Sequence, residues 1–146
     1  MRIAVGADHA GYLLKEVLAA HLVALGHDVD DLGTDSEASV DFPEFGAAVG
    51  RAVSEGRVEL GVCTCGTGMG IAIAANKIPG VRAAVVHDVT TARLARAHNH
   101  ANVVCMGGRI LGYEVAKDAI ETFLSTEPVG GRHDRRIHEI ALLEAR

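Results

Sequence analysis

The sequence predicts a doubly wound α/β fold: a five-stranded parallel sheet with helices on both faces and a further helix at the C-terminus. Three observations carry this expectation. Short apolar runs alternate with segments whose apolar residues recur at helical spacing. The runs are continuously apolar, as in strands buried on both faces, which favours parallel pairing and right-handed crossovers. The chain has 146 residues, an ordinary size for one domain, so residues 1–146 are expected to share one core.

Residues Arg2 to Ala7 make the first buried strand, and Leu14, Val17, Leu18, Leu22 and Leu25 form a helical stripe that Gly26 stops. A second strand fits His27 to Leu32. Asp41, just ahead of Pro43, can then start a helix through Ala47, Ala48 and Val53 that Gly56 ends. Val58 to Thr64 reads as the third strand, Gly66 to Gly70 as a loop, and Ile71 to Asn76 as a short helix closed before Pro79 and Gly80. Val81 to Val86 makes the fourth strand, and Asp88 can cap the helix carrying Ala92 and Leu94. ANVVCMG gives the fifth strand, followed by a helix from Val115 to Leu124 that ends before Pro128. Beyond it, Ile137, Ile140, Ala141 and Leu143 keep helical periodicity and should pack on a neighbour or a partner subunit.

Composition excludes several classes. No apolar run approaches the ~18 residues that a membrane span requires, and the N-terminus MRIAVGADHAG lacks the longer apolar region of a signal peptide. A cytoplasmic protein is expected. Three cysteines, two of them one residue apart, do not make a disulfide framework. A net charge of -5, no Trp and 3% aromatics argue against a nucleic-acid surface. A small anionic ligand remains compatible, because local charge can oppose net charge.

The chemistry is expected beyond the carboxyl ends of the strands, where strand order reverses. In a flavodoxin-like order the first and third strands are neighbours, so Asp8 and His9 in ADHAG would meet the loop CGTGMG. Asp8 and His9 also suit a helix cap and a surface imidazole, but their position favours a part in the site. Gly66, Gly68 and Gly70 let the main chain approach a ligand and turn its N–H groups inward, beside a positive helix N-terminus. A phosphate or a developing oxyanion would fit there equally well.

Cys65 stands at that strand end, where a thiol at a helix N-terminus is favoured in its ionised form and can serve as base or nucleophile. Cys63 and Cys105, inside apolar strands, read as small core residues. A Cys-x-Cys pair without a second ligand cluster is a poor metal site, and none is expected. His98, in RAHNHANV, reads on base rates as a solvated residue, and its imidazole is the side-chain type that would suit a proton donor if a crevice faced it. Its position after the fourth helix puts it at the amino ends of the strands, so it would more readily serve a site in another subunit. In GGRHDRR, Arg132 and Arg136 are four apart and would share a helical face suited to phosphate, although a solvated basic turn explains them equally well. Arg109, after the fifth strand, is a further candidate.

Together GADHAG, DFPEF, CGTGMGIAIAANK, RAHNHANVVCMGGR and GGRHDRR resemble the ribose-5-phosphate isomerase B family, which also contains galactose-6-phosphate isomerase subunits. The resemblance spans nearly the whole chain. It implies an aldose-ketose isomerase without metal or other cofactor, acting on D-ribose 5-phosphate and D-ribulose 5-phosphate. It also implies a homodimer, which could pair into tetramers, with each site built from two subunits. The resemblance makes Cys65 the base that moves a proton between C1 and C2 through an enediolate, with Thr67 orienting or polarising. His98 from the partner would open the furanose. Main-chain N–H groups of Gly66, Thr67, Gly68, Met69 and Gly70 would hold the enediolate oxygens. Asp8 and His9 would contact the sugar, and Asn99, Arg109, Arg132 and Arg136 its hydroxyls and phosphate. Family members often have Asp-Tyr-Pro where this chain has Asp41, Phe42 and Pro43, so the preferred sugar can differ; galactose 6-phosphate, allose 6-phosphate and tetrose phosphates are the related candidates.

A nucleotide-binding module is the competing class, because the glycine loop follows a strand and Asp88 lies about twenty residues on, as a ribose contact would. The glycines, however, read G-x-G-x-G, and the loop follows the third strand. A sensor that binds a sugar phosphate without turning it over is the third option.

Overall fold

The computed structural model describes residues 1–145. The strands are β1 Arg2–Ala7, β2 Asp28–Asp31, β3 Leu60–Cys65, β4 Ala83–Val85 and β5 Val103–Gly107. The helices are α1 Tyr12–Ala24, α2 Phe42–Ser54, α3 Met69–Ala75, α4 Val89–Asn99, α5 Tyr113–Ser125 and α6 Arg132–Leu143. All strand pairs are parallel, in the order β2-β1-β3-β5-β4.

The fold class is the expected one, and β1 and β3 are neighbours as the sequence suggested. The flavodoxin-like order is corrected at the other side of the sheet: β5 lies between β3 and β4. Burial explains the exchange. Every residue of β5 is buried, so Val103 to Gly107 can pack helices on both faces, whereas the three residues of β4 are only half-buried and suit an edge. The exchange brings the loop after β5 beside the loop after β3.

Side chains alternate between two apolar layers. Ile3, Val5, Val62, Val104 and Met106 face Leu14, Leu18 and Leu22 of α1, Ala92 and Ala95 of α4, and Ile120 and Phe123 of α5. Ala4, Cys63, Cys65, Val103 and Cys105 face Val49 and Ala52 of α2 and Ile71, Ala72 and Ala75 of α3. Each fully buried Leu, Ile or Phe contributes about 1.5–3 kcal/mol relative to exposure. β2 departs from the expected apolar pattern: its DVDD is largely exposed, as an edge strand allows. Asp31 there holds the buried Lys15, with 2.7 Å from Nζ to either carboxylate oxygen, and Glu16 lies 3.0 Å from the same ammonium.

Several boundaries shift. Asp88 caps α4 as expected, accepting the Thr91 N–H at 2.7 Å. Asp41 precedes α2 in an extended conformation but makes no side-chain cap bond. α3 begins at Met69, so Met69 and Gly70 belong to the helix rather than to the loop. α6 begins at Arg132 and takes the whole basic segment into its first turns, lying against α4. Among the described residues no helix is long and apolar enough to cross a membrane.

Candidate active site

Three loops meet at the carboxyl end of the sheet. Cys65 ends β3 and pairs with Gly107 of β5, while Thr64 pairs with Ala7 of β1. The Thr64 hydroxyl donates to the carbonyl of Gly11 at 2.8 Å, and the Asp8 N–H donates to the carbonyl of Thr64 at 3.3 Å, which ties the start of α1 to β3. On the other side, the Gly108 N–H donates to the Cys65 carbonyl at 2.8 Å and the Arg109 N–H to the Gly66 carbonyl at 3.0 Å. The Arg109 guanidinium lies over the glycine loop: a side chain at Gly66 would come within 3.3 Å of its Nη1.

Cys65 is buried, 4% exposed, on the sheet face that packs α2 and α3. Its sulfur accepts the Gly68 N–H at 3.1 Å. That geometry requires glycine at 68, where φ is +80° and a Cβ would lie 2.9 Å from the carbonyl carbon of Met106. Thr67 is exposed, and its hydroxyl accepts the Met69 N–H at 3.2 Å. Phe42, at the start of α2, closes over α3: a Cβ at Gly70 would meet its Cζ at 2.7 Å. The other two thiols are fully buried. Cys105 is pushed well above the usual thiol range by its contact with Cys63 and by burial, which makes it a core residue as the sequence suggested.

Asp8 is buried, and its Oδ1 accepts the N–H groups of Ala10 at 2.9 Å and Gly11 at 3.0 Å, so it caps the turn into α1. The Nδ1 of His9 sits 3.1 Å from the carbonyl oxygen and 3.2 Å from the nitrogen of Val40, fastening the segment before Phe42 to the loop after β1. Val40 was not among the residues singled out in the sequence.

The remaining candidates lie elsewhere in the same chain. His98 and Asn99 form the last turn of α4, not a loop, and His100 ends that helix with φ +48°. They precede β5, whose far end pairs with Cys65; a parallel strand of that length advances about 13 Å, so His98 and Cys65 lie at opposite ends of the sheet. Arg132 and Arg136 project from the first turns of α6, on the His98 side. Between them is His133, which the sequence reading passed over. It is 7% exposed, and its ring stacks on that of His98 with centroids 4.4 Å apart and planes 6° from parallel. Burial and the charges of His98, Arg132, Arg136 and His100 hold His133 below the usual imidazole range.

One chain therefore assembles Asp8, His9, Cys65 to Gly70 and Arg109 at one end, and His98, Asn99, Arg132 and Arg136 at the other. A cavity of about 790 Å³ lies on the second side, with Asn99, Arg82, Ile140 and Leu143 in its lining. Among the described residues no three His, Cys, Asp or Glu side chains come together as metal ligands do.

The chain matches the ribose/galactose isomerase family over residues 3–140. It is 43% identical to ribose-5-phosphate isomerase B of Escherichia coli over 145 residues, covering 99% of this chain and 97% of the relative. It is 42% identical to galactose-6-phosphate isomerase subunit LacB of Clostridium acetobutylicum over 127 residues, 87% of this chain and 73% of the relative. Among solved structures, ribose-5-phosphate isomerase B of Clostridium thermocellum superposes with a TM-score of 0.98 at 46% identity, covering 99% of this chain and 98% of that one. The Mycoplasma genitalium enzyme with bound ribulose-5-phosphate superposes at 0.95 with 38% identity, over 99% and 97% of the two chains. With likeness in sequence and fold along nearly its full length, this chain is an isomerase and belongs to the ribose/galactose isomerase family.

Proposed function

We propose that this protein interconverts D-ribose 5-phosphate and D-ribulose 5-phosphate through an enediolate, with Cys65 as the base. The observation that carries the reading is the Gly68 N–H aimed at the Cys65 sulfur within a glycine loop at the carboxyl end of β3; likeness to ribose-5-phosphate isomerases B supports the choice of sugar. In the open-chain aldose, the Cys65 thiolate removes the proton from C2 and returns it to C1, while the hydroxyl proton on O2 passes to O1. The atoms balance without any redox partner. Thr67 orients the reacting carbons, and its hydroxyl can donate to a substrate oxygen because the Met69 N–H already occupies one of its lone pairs. Main-chain N–H groups between Gly66 and Gly70 hold the enediolate oxygens; in the unliganded chain those of Gly68 and Met69 donate to Cys65 and Thr67, and they would have to turn to the substrate to take part.

The same reading makes the active form a homodimer. His98, Asn99, Arg132 and Arg136 of one subunit reach the Cys65 crevice of the other, where His98 protonates the ring oxygen to open the furanose and the arginines bind phosphate. Asp8 and His9 contact the sugar, and Arg109 joins the phosphate site. Their placement at opposite ends of one sheet supports this, as do the exposed apolar side chains Met69, Ile73, Ile110, Leu142 and Leu143, which a partner would cover.

A second reading within the same chemistry is favoured by the likeness to a galactose-6-phosphate isomerase subunit and by Phe42 at the crevice: a hexose 6-phosphate as the preferred substrate. Isomerase assays with four-, five- and six-carbon sugar phosphates decide between them. The highest kcat/KM is expected for ribose 5-phosphate; a hexose 6-phosphate leading the panel would replace the first reading with the second, and binding without turnover would replace both with a sensor.

A further inference from the structure

We propose that His133 is a positioning residue for His98, fixing by ring stacking the plane in which His98 meets the sugar. This rests on the reading of His98 as the group that opens the furanose. The two imidazoles lie 4.4 Å apart and within 6° of parallel, a stacked pair at the close edge of aromatic contact. Their surroundings differ in a way that assigns the roles. His98 is exposed on the last turn of α4, whereas His133 is the one residue of α6 that is buried. An anchored ring therefore lies against a ring whose other face and edge are open to whatever sits beyond this chain.

The anchor is built locally. The Gly131 N–H donates to Asp134 Oδ2 at 3.1 Å, which starts α6 at the residue before His133. The Val129 N–H donates to the Ala97 carbonyl at 2.8 Å, and His100 Nε2 lies 3.0 Å from the Val129 carbonyl oxygen, so the segment entering α6 is fastened to the end of α4. His100 Nε2 also lies 3.5 Å from Asp134 Oδ1. The charged groups around the stack are thus His98 and His100 from α4 and Arg132, Asp134 and Arg136 from α6. Burial, together with the neighbouring His98, Arg132, Arg136 and His100, holds His133 below the usual imidazole range, so the buried ring offers His98 a flat face with little tendency to take up a charge of its own.

The test compares steady-state turnover of ribose 5-phosphate by the intact wild type, His133→Ala, His133→Phe and His98→Asn. His133→Ala is expected to lower kcat roughly 3- to 10-fold with KM kept, the scale of one lost stacking contact. His133→Phe, which keeps a flat ring and cannot ionise, is expected to restore kcat. Unchanged kinetics in His133→Ala would overturn the proposal, and so would a raised KM at unchanged kcat, since His133 would then only seat the α6 arginines. If His133→Ala also loses melting temperature, His133→Phe decides alone: kcat near wild type supports the stack, and a fall overturns it. Wild-type turnover by His98→Asn would instead remove the underlying reading of His98, a failure distinct from that of the stack.

Discussion

The main-chain N–H of Gly68 donates to the sulfur of Cys65 at 3.1 Å, across the turn that joins β3 to α3. The contact joins the proposed base to the loop proposed to hold the enediolate, so moving one moves the other. Gly68 itself holds a left-handed φ of +80° against the backbone of Met106. The site is therefore set by β3 and β5, the central strands of the sheet, rather than by exposed loops alone.

Cys65→Ala is expected to lower kcat by about 10²-fold or more, the scale of a positioned general base, with substrate affinity largely kept. The side chain removed is small and the fold should survive. Stopped assays of kcat alongside a direct binding titration check both halves. Turnover at the wild-type level in this variant would take the base away from Cys65.

Phe42 rests against the start of α3, with its Cζ 2.7 Å from where a Cβ of Gly70 would be. The hydroxyl of a tyrosine there would extend from that carbon along the crevice wall. Phe42→Tyr is expected to raise kcat/KM for ribose 5-phosphate by roughly 3- to 10-fold, the value of one added hydrogen bond, and to change the ranking among sugar phosphates. The substrate panel run on both proteins reads the difference; an unaltered ranking would show that the position faces away from the sugar.

Sequence patterning made the parallel sheet legible because VVCMG and LGVCTC are apolar without interruption, and strands buried on both faces have no polar side to show. It did not reveal that β5 would enter the sheet beside β3. Each run taken alone satisfies a strand; which one goes inside depends on how many of its residues find cover, a property of the packed layers. β2, expected over His27 to Leu32, has no such run: its DVDD lies at the edge of the sheet, largely exposed. At the carboxyl end of the sheet, the placement of Cys65, Thr67 and Arg109 was legible because they stand at or within two residues of a strand end, where the chain must turn. His133 was not, because a histidine among arginines reads as part of a solvated basic segment. Gly131 followed three residues later by Asp134 was the available signal, since it starts α6 early enough to turn His133 toward α4.

Lys15 is 1% exposed, and its ammonium is held by Asp31, 2.7 Å away through both oxygens, and by Glu16 at 3.0 Å. Asp31→Ala leaves a buried cation with one partner, and is expected to cost about 1–3 kcal/mol, less than for a fully enclosed pair because Asp31 is half-exposed. Lys15→Met keeps the packing volume and removes the charge, so its cost should be smaller. Urea unfolding of the two variants gives the comparison directly. Equal losses would mean that the ammonium left behind in Asp31→Ala carries no penalty beyond that of the lost pair, as water or Glu16 would allow.

His98 and Cys65 occupy opposite ends of the same sheet, so a site using both must draw them from two subunits. Subunit mixing tests this without a structure of the assembly. Cys65→Ala and His98→Asn are each expected to be nearly inactive as purified homodimers. In a mixed dimer of two-fold symmetry, one site receives both altered residues and the other receives both intact ones. After equal mixing and random re-pairing, half of the dimers are mixed and half of their sites are whole, so activity should return to about a quarter of the wild-type value per site. Re-pairing through mild denaturant and refolding, followed by an assay against each homodimer treated alike, measures the return. A site contained within one chain predicts no recovery at any mixing ratio. Recovery that requires the two variants together, and that follows the fraction of mixed dimers as the ratio is varied, is the outcome expected of a site shared between two subunits.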